Sequence, residues 1–442
     1  MRERLSGRLG FLMMAAGSAV GLGNVWRFPY VVGRNGGAAF VLVYLAFLVI
    51  LGFPLLAAEL GIGRGANRSL PAALAALAPS RWSCVWGRIG AALAFGCFVL
   101  MIYYTDVAGW LIKYVVCYAG GTPPEDPAAS FSAMTADDAS ETIYMALAVA
   151  SASLVCLRGV VKGVERSTKF MMVALLALLG VLAAKSLTLP GAAEGLSFYL
   201  KPDWARFMEH PWTAVLDAMG QAFFTLSLGI GSMTICGSYV GAEHSLVKET
   251  AVIIAIDTVV ALLSGLVVFP ACATYGIPYE GGPGLIFVAL PRVFSQMAWG
   301  TVWGCLLFIF LSFAAMTTVV AVFESLIAGM MDTLGAPRWK ATAAVAVGVF
   351  ALSLPCVLVD GVLRWEDFAV SQLWLPVGAL CQGFFVVNGT YGWGWEKFSA
   401  AVSVGRGWTM PRWMRWHLAF VVPALMLVVL VAGLVRIAVP CP

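Results

Sequence analysis

Runs of roughly 20 apolar residues recur along the whole chain, and no other feature limits its fold so strongly, because about 20 residues of helix span a bilayer core. Bounded by charges, Pro and Gly, these runs mark eleven spans near residues 9–33, 38–62, 85–118, 143–158, 166–187, 212–239, 246–275, 294–332, 341–359, 367–393 and 416–436. The short alternating segments of a membrane β-barrel do not occur. Composition agrees, with 61% apolar and 11% charged residues and a mean hydropathy of +0.90, against about 45–50% and about 25% in soluble chains. A water-soluble enzyme, a nucleic-acid binder and a disordered chain are thereby excluded. The expected fold is an all-α polytopic membrane protein. The run after Arg2, Arg4 and Arg8 reads as a span rather than a signal peptide, since it continues into GLGNVWRFPY without a cleavage context.

Basic residues orient the bundle. With the N-terminus inside, the cytoplasmic segments hold Arg2, Arg4, Arg8, Arg64, Arg68, Arg81, Arg88, Arg158, Lys162, Arg166, Lys169, Lys248, Arg338, Lys340, Lys397, Arg406, Arg412 and Arg415, eighteen of the 27 Lys and Arg residues. The loop at 119–142 carries Glu125, Asp126, Asp137, Asp138 and Glu141 and no basic residue. The N-terminus is therefore expected in the cytoplasm and the C-terminus outside. No segment is long enough for a separate soluble domain, so residues 1–442 form one transmembrane unit. The ten cysteines show no metal or redox spacing, and Cys97, Cys236, Cys305 and Cys381 sit in apolar runs as small hydrophobes. His210, His244 and His417, all near span ends, make no catalytic cluster. A prokaryotic plasma (inner) membrane suits a chain with neither a large external loop of paired cysteines nor long tails.

Two spans are interrupted. In GFLMMAAGSAVGLGNVWRFPY, Gly17, Gly21 and Gly23 surround Ser18 and Asn24; in AMGQAFFTLSLGIGSMTICGSY, Gly229 and Gly231 follow Thr225 and Ser227. Each glycine lowers helix stability by about 1 kcal/mol relative to Ala. Either segment alone fits close packing through small residues equally well. Together they open two five-helix halves, about 9–187 and 212–393, with 416–436 as an extra helix. Paired interruptions in matching positions point to a transporter site of unwound helices, where freed carbonyls hold a cation and the next half-helix faces an anion.

At these residues the sequence resembles the neurotransmitter:sodium symporter family, in its bacterial LeuT-type branch of amino-acid transporters. The resemblance rests on GSAVGLGNVWRFPY, NGGAAF (35–40), IYYTDVAGW (102–110), KGVERSTKF (162–170), GQAFFTLSLGIG (220–231) and AAMTTVVAVFES (314–325) and covers nearly the whole chain. The rule for paired interruptions was itself drawn from transporters of this kind, so the breaks and the resemblance are one piece of evidence. The resemblance implies a LeuT-type five-plus-five inverted repeat with helices 1 and 6 broken, and sodium-coupled uptake by alternating access through two Na+ sites. The first site would use the Ala19 carbonyl, Asn24, Thr225 and Asp257, completed by the substrate carboxylate. The second would use the carbonyls of Gly17, Val20 and Ala314 and the hydroxyls of Thr317 and Thr318. All are hard oxygen donors; taken alone, the two threonines would more readily be read as bonding their own helix.

By the same resemblance, the substrate carboxylate would meet the Leu22 and Gly23 amides and the Tyr104 hydroxyl, beside Thr225. Its ammonium would meet the carbonyls of Ala19, Phe224 and Ser227. Leu100, Phe224, Ser227, Ile230, Thr318 and Val322 would line the side-chain pocket. Relatives that carry monoamines have Asp where Gly21 stands, so this substrate brings its own carboxylate. An almost apolar pocket, with Ile230 in place of a bulkier aromatic, fits a neutral, hydrophobic or aromatic L-amino acid. Arg27 with Asp367 matches the outer gate, with Tyr104 and Phe224 beneath it, and Arg2 with Asp332 matches the inner gate, where Leu5 replaces the usual Trp. Asp257 stands where chloride-dependent relatives have Asn, and Ala261 replaces a serine ligand while Tyr44 and Gln221 remain. No chloride requirement is therefore expected, the Asp257 carboxylate supplying that charge. Glu59 and Glu324 are expected in a polar network below the site. Asp106 matches no common family role, and the helix at 166–187 lacks the proline that many relatives carry at Val173, so its loosening relies on Gly163 or proceeds differently. The rival reading is a proton-coupled or exchange-type amino-acid permease of the same architecture, which need not keep both oxygen sets.

Overall fold

The structure is a computed structural model that describes residues 3–279, 284–359 and 361–438. Its regular elements are helices. Among the described residues, nine helices are long and apolar enough to cross a membrane, or ten when Arg8–Ala19 and Gly23–Arg34, bent by 55° at their junction, count as one. The nine are Ala38–Ala66, Ser80–Ala119, Asp138–Leu157, Val160–Leu187, Leu246–Thr274, Gly300–Leu334, Arg338–Leu358, Val362–Val387 and Met414–Val435. The second interrupted span is two helices, Pro211–Thr225 and Ser232–Tyr239. Only by counting these two as one crossing is the expected eleven reached.

Several boundaries move for visible reasons. The apolar run taken to begin at residue 294 merges the short helix Leu285–Ser295 with Gly300–Leu334, which a left-handed Trp299 separates. The span expected at 367–393 runs from Val362 to Val387, because Asn388 turns extended and its side chain accepts the N–H groups of Thr390 and Tyr391. Asp367 therefore lies inside a helix rather than at its start. The helix expected from residue 166 opens earlier, in a widened turn over Val160–Glu165 where the Val164 N–H reaches back to the Gly159 carbonyl.

The Gly300–Leu334 helix is the pillar: 72% of its most apolar stretch is buried, against 28% for Met414–Val435 at the periphery. Hydrophobicity cannot drive helices together in lipid, so close packing at small residues carries much of the association. The contact between Ala38–Ala66 and Ser232–Tyr239 shows this. A Cβ on Gly63 would stand 1.9 Å from the Thr234 carbonyl oxygen, and one on Gly237 would stand 2.1 Å from that of Leu60. Gly237→Ala should therefore lower the thermal unfolding temperature in detergent, with overpacking costing about 1–3 kcal/mol. Gly180→Ala, which meets nothing within 4 Å, should leave it unchanged or raised, and equal behaviour of the two variants would show that the backbones can part.

Candidate functional site

Breaking a helix in a membrane exposes N–H and C=O groups that must find partners. In the first broken span Val20 leaves the helix (φ −66°, ψ 103°). The freed amides of Gly21 and Leu22 donate to Asn24 Oδ1 at 3.2 Å and to the Tyr104 hydroxyl at 3.0 Å. The carbonyls of Gly23 and Asn24 accept from Gln221 Nε2 at 2.8 Å and Ser264 Oγ at 2.7 Å. In the second, the chain turns through Ser227 at φ 50°, Gly229 at φ 98° and Gly231 at φ 84°. Positive φ is uncommon outside glycine, and at Ser227 it marks a strained backbone within the break. Glu59 Oε1 accepts the Gly229 N–H at 2.5 Å and Gln382 Nε2 at 3.1 Å. The Ser227 hydroxyl donates to the Ser18 carbonyl at 3.3 Å, tying the two breaks together.

Three residues predicted for one cation site meet here. Asn24 Nδ2 donates to Asp257 Oδ1 at 2.8 Å and to the Asp257 carbonyl at 3.2 Å, and Thr225 Oγ1 donates to Asp257 Oδ2 at 2.9 Å. All three side chains are buried. Among the described residues no Lys or Arg pairs with Asp257. A buried carboxylate beside neutral oxygens and no basic partner is chemically suited to a small hard cation. Ala19 lies at the edge of the same space, lining the cavity described next.

A second group of oxygens sits across the first broken span. Thr317 Oγ1 lies 3.4 Å from the Val20 carbonyl and 2.9 Å from that of Ala314; Thr318 Oγ1 lies 3.4 and 3.5 Å from the same two. Both hydroxyls thus reach their own helix and the broken one. Gly17 packs against Thr317, since a Cβ there would stand 3.3 Å from Thr317 Cβ.

Between the breaks lies a cavity of about 20 Å³, lined by Ala19, Gly21, Gly23, Leu100, Tyr104, Phe224, Ser227, Ile230, Thr318 and Leu375. That volume holds about one water, so any larger ligand requires the lining residues to move. Val322, expected to line the side-chain pocket, does not, and Leu22 and Thr225, expected at the carboxylate end, are not among the lining residues. Leu22 contributes its N–H, Thr225 turns its hydroxyl to Asp257, and Val322 is fully buried one turn beyond Thr318. Gly21 and Leu375 were not foreseen as lining. A Cβ on Gly21 would stand 2.7 Å from the Tyr104 hydroxyl and 2.8 Å from Thr318 Oγ1. Leu375 arrives because its helix crosses the second break: a Cβ on Gly229 would stand 2.2 Å from the Leu375 carbonyl oxygen.

With this arrangement, known proteins can be compared. The sequence matches the Sodium:neurotransmitter symporter family over residues 2–123 and 134–440. The chain belongs to that family. It is similar to an uncharacterized sodium-dependent transporter, YhdH, of Bacillus subtilis, 35% identical over 398 residues that cover 86% of each chain. A sodium-dependent transporter of Haemophilus influenzae is 33% identical over 381 residues, covering 84% of this chain and 82% of the relative. The sodium- and chloride-dependent GABA transporter 2 of Bos taurus is 28% identical over 75% of this chain and 62% of its own. Among solved structures, MhsT in complex with L-phenylalanine superposes with a TM-score of 0.86 at 35% identity, over 98% of this chain and 100% of that one. The protein is accordingly a sodium-coupled, multi-pass membrane transporter of the LeuT fold and not an enzyme.

The symporter's gate residues are placed unequally. The Arg27 guanidinium lies 4.8 Å over the Phe224 ring, while Asp367 accepts from the Ser371 hydroxyl at 3.2 Å, and the two form no ion pair within 4.0 Å. Arg2 lies outside the described residues; Asp332 accepts the Ser69 N–H at 2.7 Å. Contacts that the sequence did not reveal tie down the N-terminal segment. Arg8 pairs with Glu249 at 2.9 Å, the Ser6 N–H donates to Glu165 at 2.9 Å, and Glu3 accepts the Val160 N–H at 2.9 Å. The signal for Glu165 was a lone acid among the bases of KGVERSTKF. The single network expected of Glu59 and Glu324 separates into two places. Glu59 holds the second break, whereas Glu324 takes a bidentate pair from Arg338 at 2.8 and 2.9 Å and a bond from Tyr239 at 2.5 Å. Asp106 is buried with neither carboxyl oxygen hydrogen-bonded. Glu59→Ala should lower thermal stability in detergent by about 1–3 kcal/mol, the cost of an unmade buried bond. Glu59→Gln, which keeps a carbonyl acceptor, should retain most of it; equal losses would remove Glu59 from the support of the break.

Proposed function

We propose that the chain imports a neutral, hydrophobic or aromatic L-amino acid together with sodium by alternating access, and without chloride. The observation that carries this reading is Asp257, a buried carboxylate bridged by Asn24 and Thr225 from the two broken helices and without a basic partner. One sodium would bind there with the Ala19 carbonyl, and a second among Gly17, Val20, Ala314, Thr317 and Thr318. The substrate carboxylate would sit by the Leu22 and Gly23 amides and Tyr104. Its side chain would enter the space of Leu100, Phe224, Ile230 and Leu375, whose lining includes no charged residue. That MhsT is solved with L-phenylalanine supports the same ligand class. The topology that accompanies this reading has eleven crossings, a cytoplasmic N-terminus, an external C-terminus and inverted halves about 9–187 and 212–393, in a prokaryotic plasma membrane.

The deciding measurement is binding of the twenty amino acids to purified protein, in sodium and then in potassium. Apolar and aromatic ligands should bind in sodium alone. Binding indifferent to sodium would replace this reading with a proton-coupled or exchange-type permease. Asp257→Asn keeps the side chain's shape and removes its charge. At interior dielectric a charge a few ångströms from a cation is worth at least about 1.4 kcal/mol, so sodium affinity should fall by about tenfold or more. Added chloride should restore part of the loss. Wild-type uptake that itself requires chloride would overturn the substitution of chloride by Asp257.

A further inference from the structure

Away from the transport path, a groove of about 670 Å³ opens between the end of Val362–Val387 and the start of Met414–Val435. Leu380, Phe384, Phe420 and Pro423 line one end of it, and Asn388, Thr390 and Arg415 line the other. Arg415 is the single charged residue of the lining. Its guanidinium makes no ion pair among the described residues, and no acidic side chain lines the groove. Arg412 stands one turn back and is exposed. Trp413 and Trp416 are 61% and 68% exposed, and Trp416 stacks on Phe420 at 5.5 Å. Exposed Trp beside Arg at a span's end is the composition of a membrane–water boundary.

The groove lies at the basic end of the bundle. Arg64 donates to the carbonyls of Gly241 and His244 at 2.7 and 2.6 Å, and the Ser245 hydroxyl bonds the Trp408 carbonyl there. The helix that forms one wall is the least buried of the nine among the described residues, so the rest of the chain leaves most of its surface uncovered.

We infer that this groove binds an anionic phospholipid of the adjoining leaflet. The headgroup phosphate would lie against Arg415 and Arg412, with the Asn388 and Thr390 side chains in reach, and an acyl chain along Phe384 and Phe420. Charge complementarity selects the lipid's class. A zwitterionic headgroup would bring an ammonium that no carboxylate of the lining could meet, and beside two arginines that ammonium is repelled, whereas an anionic headgroup brings only the charge they attract. The assignment is independent of the amino acid carried and of the direction of transport.

The test is native mass spectrometry of delipidated, full-length protein titrated with phosphatidylglycerol or phosphatidylcholine of the same acyl chains. Phosphatidylglycerol should remain bound where phosphatidylcholine does not. Arg415→Gln should weaken its retention about fivefold and Arg412→Gln with Arg415→Gln further, at about one such factor per arginine near an anionic surface. Ala419→Trp, which fills the groove without touching charge, should also remove it. Sodium-dependent thermal stabilisation of each variant, equal to wild type, shows that it is folded. Equal retention of phosphatidylglycerol by wild type and Arg415→Gln, or equal retention of both lipids by wild type, would overturn the inference. So would a dimer whose formation displaces the lipid, since the groove would then be an interface between copies.

Discussion

An unwound turn survives inside a membrane only if its freed amides and carbonyls are bonded, for lipid supplies no substitute partner. Much of the structure answers that demand. Tyr104, Gln221 and Ser264 hold the first break, Glu59 holds the second, and Ser227 links them. These partners come from several different helices, so the bundle around the breaks must be assembled before the breaks are tolerable. Binding chemistry and structural support are therefore the same set of groups.

Asp257 stands at the centre of that set. Its two carboxyl oxygens each take a bond from a different broken span, through Asn24 and Thr225. A cation entering there would be shared by both spans, and its charge would be felt by whatever anionic group lies against the neighbouring amides. For the carboxylate-bearing substrate proposed above, that proximity would couple ion to substrate, since each would stabilise the other in a low-dielectric site. The cavity of about 20 Å³ means that a substrate is accommodated only as its lining rearranges.

The ends of the bundle follow a different logic. At the basic end, three buried acids are answered. Glu249 meets Arg8, Glu324 meets Arg338, and Glu165 meets Ser6 and Lys169. Breaking one side of a buried pair leaves an uncompensated charge, so such contacts resist piecemeal change. The bonds of Ser6 to Glu165 and of Val160 to Glu3 hold the N-terminal segment against the widened turn at Val160–Glu165, where a Cβ on Gly163 would stand 2.0 Å from the Val155 carbonyl oxygen. The loosening expected at Gly163 thus coincides with a backbone contact that only glycine permits.

By itself, the sequence determined the membrane class, the approximate spans and the two interruptions. Each depends on local quantities: the length of an apolar run, a glycine pair. The sodium-site roles proposed for Asn24, Thr225, Asp257, Thr317 and Thr318 come from the family resemblance of the motifs that hold them. Only the tertiary structure decided that Leu375 rather than Val322 lines the cavity, that Glu59 and Glu324 serve different places, and that Arg27 rests on Phe224 without pairing to Asp367. Those outcomes turn on the rotation and crossing of helices. In a bilayer the lipid-facing and protein-facing sides are similarly apolar, so hydropathy cannot reveal which face packs where. Shape and hydrogen bonding settle it once all the helices are present.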